Sequence, residues 1–155
     1  MMDRPGPTFA PLSGDRVSAH ATTIAFAGAG LALCGPSGAG KSGTAAQLIA
    51  LGADLVADDL TIFMADGSTL LATAPSGAVS ALELRGLGLA RLKLVPHVAL
   101  KAFVWLGAST ARLPEPENVQ VLGCAVPLLR HPATADLAAK LLIWLDSRTC
   151  ERGRI

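Results

Sequence analysis

The pattern of apolar and polar positions predicts short strands, two helices and a glycine-rich loop. The runs "VSAHATTIAF" and "LALC" are apolar and β-prone, and the glycines of "AGAG" between them suit a tight reversal, so we predict a hairpin here. The segment "SGTAAQLIALG" has apolar residues at helical spacing and ends on Gly52, which predicts a helix. The stretch "GPSGAGKS" lies between this hairpin and this helix.

The rest of the chain also contains apolar, strand-like runs separated by turns, and it ends in a predicted helix. "ADLVADD" predicts a short strand ending in two acids, and the runs around Asp66-Gly67 predict a second hairpin. "VALKAFVWL" and "VQVLGCAV" predict further strands, "LELRGLGLARL" is a glycine-punctuated segment, and "TADLAAKLLIWLDSR" predicts a C-terminal helix opened by Thr134. Because hairpins are as frequent as strand-helix-strand units, we expect an α/β fold with a mixed sheet.

Size and composition exclude several classes of function. A chain of 155 residues with 51% hydrophobic and 16% charged residues is expected to form one compact domain. A net charge of +1 and 4% aromatic residues argue against a nucleic-acid-binding surface. The cysteines lack metal-binding spacing, so we assign no chemistry to Cys34, Cys124 or Cys150.

One long uncharged run, residues 17–40, raises the question of a membrane span. It contains His20, Pro36 and several glycines and leads directly into the glycine-rich loop, so we predict no spanning helix. The first residues lack the apolar core of a signal peptide. We therefore expect a cytoplasmic protein without a membrane partner.

The stretch "GPSGAGKS" matches the phosphate-binding pattern G-x-x-x-x-G-K-[ST] at each fixed position. A glycine-rich turn before a helix directs backbone N–H groups and the positive end of the helix dipole toward one point, which suits a polyphosphate. In this pattern Lys41 contacts the β- and γ-phosphates and the Ser42 hydroxyl ligates Mg²⁺. The loop therefore predicts a bound nucleotide with Mg²⁺, and it does not specify the base. The residues predicted to bind this cofactor are Gly35, Pro36, Ser37, Gly38, Ala39, Gly40, Lys41, Ser42 and Asp58.

The two acids after "LVA" are candidates for the chemistry. Transfer of a phosphoryl group to a hydroxyl needs a group that orients and deprotonates the hydroxyl, and Asp59 is the leading candidate for this base. Strand alternation directs the two carboxylates differently, so we expect Asp58 to face metal-bound water or a backbone group. The alternative is that the pair forms a strand-end turn, where aspartate is common.

Three other side chains allow both a functional and a structural interpretation. A hairpin could fold His20 back to the phosphate end of the site, although a histidine in an apolar strand is more often structural. Glu83 and Arg85 share a face if the chain is extended there. They are either a metal ligand and an anion contact, or a surface ion pair beside a turn.

Taken together, these motifs resemble the catalytic domain of bacterial HPr kinase/phosphorylase. The resemblance rests on the ordered set "HATTI", "GPSGAGKS", "VADD" and "LELRGLGL" and covers roughly residues 17–146. It implies a P-loop domain similar to phosphoenolpyruvate carboxykinase over residues 17–150, after an N-terminal extension at 1–16 for which disorder stays open. It also implies transfer of phosphate from ATP to a serine of an HPr-type phosphocarrier of the phosphotransferase system.

The resemblance also assigns roles by position. His20 corresponds to the active-site histidine, Asp59 to the carboxylate that accepts the serine proton, and Arg112 to an arginine that stabilises charge on the transferring group. The implied catalytic residues are His20, Lys41, Asp59 and Arg112, and the implied magnesium ligands are Ser42 and Glu83.

Two departures from the family pattern and two alternative functions remain. Gly43 stands where family loops usually have glutamate, and "VPLLRHPATAD" has only Arg130 where the family has a segment of arginines and prolines associated with dephosphorylation. We therefore expect the kinase reaction and doubt the phosphorylase reaction. A small-molecule kinase and a non-catalytic nucleotide-binding regulator stay open, as does assembly into a homo-oligomer.

Overall fold

The computed structural model describes residues 4–93, 95–108, 112 and 114–153, with side chains up to residue 147. These residues form twelve strands and two helices. In chain order the elements are β1 (Ala10–Leu12), β2 (Arg16–Ala19), β3 (Thr22–Phe26), β4 (Ala29–Cys34), α1 (Lys41–Ala50), β5 (Asp54–Ala57), β6 (Thr61–Asp66), β7 (Thr69–Thr73), β8 (Ala81–Leu84), β9 (Gly88–Arg91), β10 (Val98–Leu106), β11 (Asn118–Val121), β12 (Cys124–His131) and α2 (Leu137–Gly153).

Ten of these strands form one mixed sheet, and β8 and β9 form a separate hairpin. The sheet order is β1-β2-β6-β7-β10-β4-β3-β5, and β12 pairs with β10 and with β11. The strands β4, β10 and β12 run parallel to one another, whereas the remaining pairs are antiparallel. This arrangement confirms the expected mixed sheet. Of the described helices, none is both long and apolar enough to cross a bilayer.

The parallel strands determine where the glycine-rich loop lies. Cys34 on β4 pairs with Trp105 on β10, which in turn pairs with Arg130 on β12. The carboxyl ends of these three strands therefore meet at one edge of the sheet, which is where α/β sheets bind ligands. The loop leaves β4 at this edge and continues into α1.

Two hydrophobic clusters support this arrangement. One cluster contains Leu48 of α1 and Leu141 of α2 together with apolar residues of β3, β4 and β10, so both helices cover one face of the sheet. The other cluster contains Phe63 and Phe103, both fully buried. Both faces of the sheet are apolar, so each must be covered by packed side chains. Apolar surface left in contact with water costs roughly 25 cal/mol per Å².

Several elements have bounds in the structure that differ from those predicted from the sequence. The run "VSAHATTIAF" is divided into β2 and β3, which pair with different strands, because the chain bends at His20. "VQVLGCAV" contains a hairpin turn at Leu122-Gly123, and "LELRGLGLARL" forms the β8–β9 hairpin. The C-terminal helix begins at Leu137 and not beside Thr134, whose hydroxyl donates to Asp136 Oδ1 at 2.6 Å.

The N-terminal segment takes part in the sheet before residue 17, where the sequence places the start of the domain. Strand β1 pairs with β2, and the ring of Phe9 packs edge-on against Phe63 and Phe103, with centroid distances of 6.1 and 5.5 Å. The N-terminal segment is held against the sheet because the ring of Phe9, which precedes the first strand, completes this apolar cluster.

This packing predicts a stability effect for Phe9. We expect Phe9→Ala to lower the free energy of unfolding by about 2–3 kcal/mol, since it removes a ring from the cluster. Urea denaturation of both proteins measures the difference. Leu12→Ala on the same segment serves as the control, because Leu12 is 38% exposed. Equal, small effects for both substitutions would contradict the proposed anchoring.

Candidate active site

The glycine-rich loop leads into a helix N-terminus whose geometry suits an anion. Gly38 and Gly40 have φ angles of 84° and 105°, in the left-handed region that favours glycine. A Cβ on Gly40 would lie 2.7 Å from the Cβ of Ala133, so this position also lacks room for a side chain. Helix α1 has no side-chain cap and no acid in its first turn, which leaves its first N–H groups available to a ligand.

The Lys41 side chain lies over the loop that precedes it. Its ammonium donates to the carbonyl oxygens of Gly35 at 2.8 Å and Pro36 at 3.2 Å. These bonds hold the positive charge at the mouth of the loop, where a phosphate would be a stronger acceptor than a neutral carbonyl.

The turn between β5 and β6 presents the two acids in different ways. Asp58 Oδ1 accepts a hydrogen bond from the Thr22 hydroxyl at 3.0 Å, and the backbone N–H of Asp59 donates to the same hydroxyl oxygen at 3.4 Å. Asp59 has a φ of 69° and lines both cavities beside the loop. The two carboxylates therefore differ in surroundings: Asp58 meets the Thr22 hydroxyl and lines neither cavity, so its role in cofactor binding stays a prediction.

A group of threonines fixes this turn, and the sequence analysis did not identify it. Thr61 donates its hydroxyl to the carbonyl of Ala21 at 2.9 Å, and its Oγ1 lies 2.8 Å from that of Thr23. The hydroxyls of Thr22, Thr23 and Thr61 are all in buried residues. The signal was two successive threonines in "HATTI", since a buried hydroxyl needs a partner.

Burial of Asp58 raises its pKa above the usual value for aspartate. The Thr22 hydrogen bond acts in the opposite direction, whereas the charges of Asp59 and Glu83 add to the rise. A carboxyl group with a raised pKa binds its proton more tightly in the folded state, so folding loses stability as the pH rises from the unfolded-state pKa through the folded-state pKa.

We therefore expect Asp58→Asn to raise the melting temperature at neutral pH. The amide oxygen can still accept the Thr22 hydroxyl, while the charge that burial penalises is gone. The difference from the wild type should vanish at a pH below the usual aspartate pKa, where Asp58 is protonated in both states. Thermal unfolding across this pH range measures the effect, with the exposed Asp66→Asn as control. A melting temperature below that of the wild type at neutral pH would contradict this assignment.

Two cavities border the loop and share a wall. One has a volume of about 610 Å³, and its lining includes Ser42, Glu83 and Arg85. The other has a volume of about 410 Å³, and its lining includes His20 and Trp105. Ser37, Lys41 and Asp59 line both cavities.

The structure brings together most of the residues that the sequence predicted. His20, Lys41, Ser42, Asp59 and Glu83 all line one or both cavities. The resemblance also assigned a role to Arg112, which is exposed and lines neither cavity, and residues 109–111 and 113 beside it lie outside the described part. Within the described residues, no group of three or more His, Cys, Asp or Glu side chains forms a metal site.

Cys34 and the N-terminal segment contribute to the second cavity without having been predicted there. Burial raises the pKa of the Cys34 thiol to about 12, although the charge of Lys41 acts against the rise, so the thiol is not reactive. Residues 6–8 line the same cavity. The side chain of Cys150 lies outside the described residues.

The Arg130 side chain is held by hydrogen bonds within the protein. Its guanidinium contacts both carboxylate oxygens of Glu117, at 2.7 and 3.2 Å, and also donates to the carbonyl of Pro5. Its side chain is only 9% exposed, and its hydrogen bond is the main reason that the pKa of Glu117 is lowered. Arg130 therefore connects the N-terminal segment to the sheet and is not directed into the site.

Gly43 occupies the first turn of α1, where the chain has space for a side chain. It is exposed, and a Cβ built there meets no atom within 4 Å. We expect Gly43→Ala to raise the free energy of unfolding by about 0.5–1 kcal/mol, because alanine loses less entropy on forming a helix. Urea denaturation measures this change.

Gly38→Ala is the matched control for Gly43→Ala. A Cβ there also meets no atom within 4 Å, but the φ of 84° strains any L residue. We expect a loss of about 1 kcal/mol at this position. A loss of stability in both variants would show that space alone does not decide the outcome at residue 43.

Comparison with known proteins gives consistent results. A family model described as the HPr serine kinase C-terminal domain matches residues 12–95. The HPr kinase/phosphorylase of Verminephrobacter eiseniae is 35% identical in an alignment 133 residues long, which covers 75% of this chain and 41% of that protein. The HPr kinase/phosphorylase of Limosilactobacillus reuteri is 39% identical over 75 residues, which are 48% of this chain and 23% of that protein.

The fold has a counterpart among solved structures. The structure of the HPr(Ser) kinase/phosphatase from Coxiella burnetii aligns with a TM-score of 0.73 and 20% identity, over 85% of this chain and 95% of that one. This likeness shows the fold and agrees with the P-loop domain that the resemblance implied. The chain spans less than half the length of the curated relatives named above.

Proposed function

Because the chain belongs to the HPr serine kinase C-terminal domain family, we propose that it is an ATP-dependent kinase for a serine of an HPr-type phosphocarrier. The observation that supports this most directly is the position of Lys41 and Asp59 on the wall between two cavities. A transfer reaction needs a donor and an acceptor on either side of the reacting phosphorus atom, with a cation and a base between them.

The chain's own groups account for donor binding. The N–H groups at the start of α1 and the Lys41 ammonium would bind the phosphates of ATP, with Lys41 exchanging the carbonyls of Gly35 and Pro36 for phosphate oxygens. Ser42 and Glu83 line the same cavity and offer oxygen atoms, the ligand type that Mg²⁺ prefers. When bound, Mg²⁺ would neutralise charge on the phosphates.

Asp59 would act on the acceptor. Its carboxylate would accept the proton of the serine hydroxyl as the serine oxygen bonds to the γ-phosphorus. The bond from this phosphorus to the bridging oxygen breaks at the same time, and ADP leaves with the electron pair. The Thr22 hydroxyl, bonded to the backbone of Asp59, would hold the base in place. Such a kinase would work in the cytoplasm, which supplies ATP.

The arrangement of Arg130 bears on the reverse reaction. In the segment where family members have arginines associated with dephosphorylation, this arginine is bound to Glu117 and Pro5. A guanidinium held in this way is not available to a phosphoserine. We therefore propose that the reaction proceeds mainly in the kinase direction.

Intact-mass analysis of purified HPr after incubation with this protein, ATP and Mg²⁺ tests the proposal. We expect a mass increase of one phosphoryl group, located on a serine. Transfer to a hydroxylated metabolite in the absence of HPr would instead indicate a small-molecule kinase. ATP binding with no transfer to any carrier or metabolite would indicate a nucleotide-binding regulator.

A further inference from the structure

The β8–β9 hairpin has one face buried in the protein and one face exposed. Leu82 is 1% exposed and belongs to the cluster that α1 and α2 complete, and Leu84 packs against the same cluster. On the other face Glu83 pairs directly with Leu89, and Ala81 pairs with Arg91. Neighbouring side chains of a strand point to opposite faces, so the exposed side carries Glu83, Leu89 and Arg91.

The exposed side chains in and beside this hairpin are unusually apolar. Leu87, Val79 and Leu89 are 86%, 71% and 68% exposed, and they are three of the four most exposed large hydrophobic side chains in the described part of the chain. Leu87 lies in the hairpin turn, and Val79 is two residues before β8. Single exposed apolar residues are common, but two in one hairpin and a third just before it indicate an interaction surface.

The same hairpin borders the site. Glu83, Arg85 and Leu87 line the larger cavity together with Lys41 and Asp59. An acceptor that brings a serine hydroxyl to Asp59 must come through the open side of the site. If the acceptor is a folded protein, the surface around its serine would therefore meet the hairpin.

The charges on the hairpin define the partner further. Arg85 and Arg91 are exposed, and among the described residues neither forms an ion pair. They lie next to the exposed leucines. A complementary partner would have an apolar patch beside its serine and acidic groups at the edge of that patch.

From this continuity with the site we propose that Val79, Leu87, Leu89 and Arg91 form the docking surface for the phosphocarrier. This inference rests on the function proposed above. It names the surface that selects the protein substrate, whereas the glycine-rich loop selects the nucleotide.

The double variant Val79→Ser/Leu89→Ser tests the docking surface, because neither residue lines the described cavities. We expect the KM for HPr to rise at least tenfold, while the Kd for ATP and the melting temperature stay those of the wild type. Leu51→Ser/Ile143→Ser is the matched control, since Leu51, directly after α1, is 53% exposed and Ile143 on α2 is 69% exposed. A KM within twofold of the wild type in the hairpin variant would overturn the proposal.

Two further measurements separate the alternatives. Binding of HPr, measured by calorimetry with a non-hydrolysable ATP analogue, distinguishes the surface from the reaction. If the wild type binds HPr without phosphorylating it and the hairpin variant loses this binding, the docking surface stands and the kinase function fails. If the wild type does not bind HPr, both proposals fail.

The oligomeric state of both proteins is the second measurement. A wild-type dimer that the variant converts to a monomer, with an unchanged KM, would identify the hairpin as a self-association surface and overturn the proposal.

Discussion

Asp59→Asn is expected to lower the rate of phosphoryl transfer to HPr by about 10²- to 10⁴-fold, the usual contribution of a general base. The asparagine amide has nearly the same shape as the carboxylate but cannot accept the serine proton. Binding of ATP should change little, because the glycine-rich loop and Lys41 provide its phosphate contacts. Single-turnover transfer and an ATP titration measure the two effects separately.

The choice of asparagine keeps the turn intact. Asp59 has a φ of 69°, and asparagine is among the few residues that adopt this conformation readily. The backbone bonds of residue 59 to Thr22 and Ala21 do not involve its side chain. Asp15→Asn is the matched control, since Asp15 has a similar φ of 56° in the turn before β2. Transfer at the wild-type rate by the Asp59 variant would show that another group accepts the proton.

Lys41→Met is expected to weaken ATP binding by about 10- to 100-fold. The substitution removes a charge-assisted hydrogen bond to phosphate worth about 1.5–3 kcal/mol, which corresponds to this range of affinity. Transfer should fall further than binding, because the ammonium also stabilises charge that develops as the phosphoryl group moves. Equilibrium binding of ATP, followed by transfer at saturating ATP, separates these contributions.

Lys101→Met provides the control for the lysine substitution. Lys101 is a partly buried residue of β10 that lines neither cavity beside the loop, so its loss should leave ATP affinity unchanged. If the Lys41 and Lys101 variants bind ATP equally well, phosphate is not the partner of Lys41.

The sequence alone predicted those features whose determinants are local. The loop, the helix after it and the hairpin before it each depend on residues within a few positions, namely the glycines with left-handed φ and the spacing of apolar residues. The turn at Ala27-Gly28 and the acids after β5 follow from the same local rules. The mixed sheet could also be predicted, because each hairpin makes at least one antiparallel pair.

The sequence could not predict contacts between distant segments. Phe9 with Phe103 and Arg130 with Pro5 join positions more than 90 residues apart, and no periodicity in either segment indicates the other. The same applies to Thr22 with Asp58, where the strand pattern predicts that a threonine is buried but not which acid it meets. These contacts became visible only when the strand order was known.

The sequence by itself determined that this protein has a glycine-rich loop of the phosphate-binding pattern between a strand and a helix, followed by a pair of acids, because backbone conformation at those positions depends on the residues present there. Only the tertiary structure decided that Asp59, Glu83 and His20 share cavities with Lys41 and that the apolar face of the β8–β9 hairpin borders them. The reason is that the order and direction of the strands, set by the packing of the whole chain, determine which distant side chains meet at one edge of the sheet.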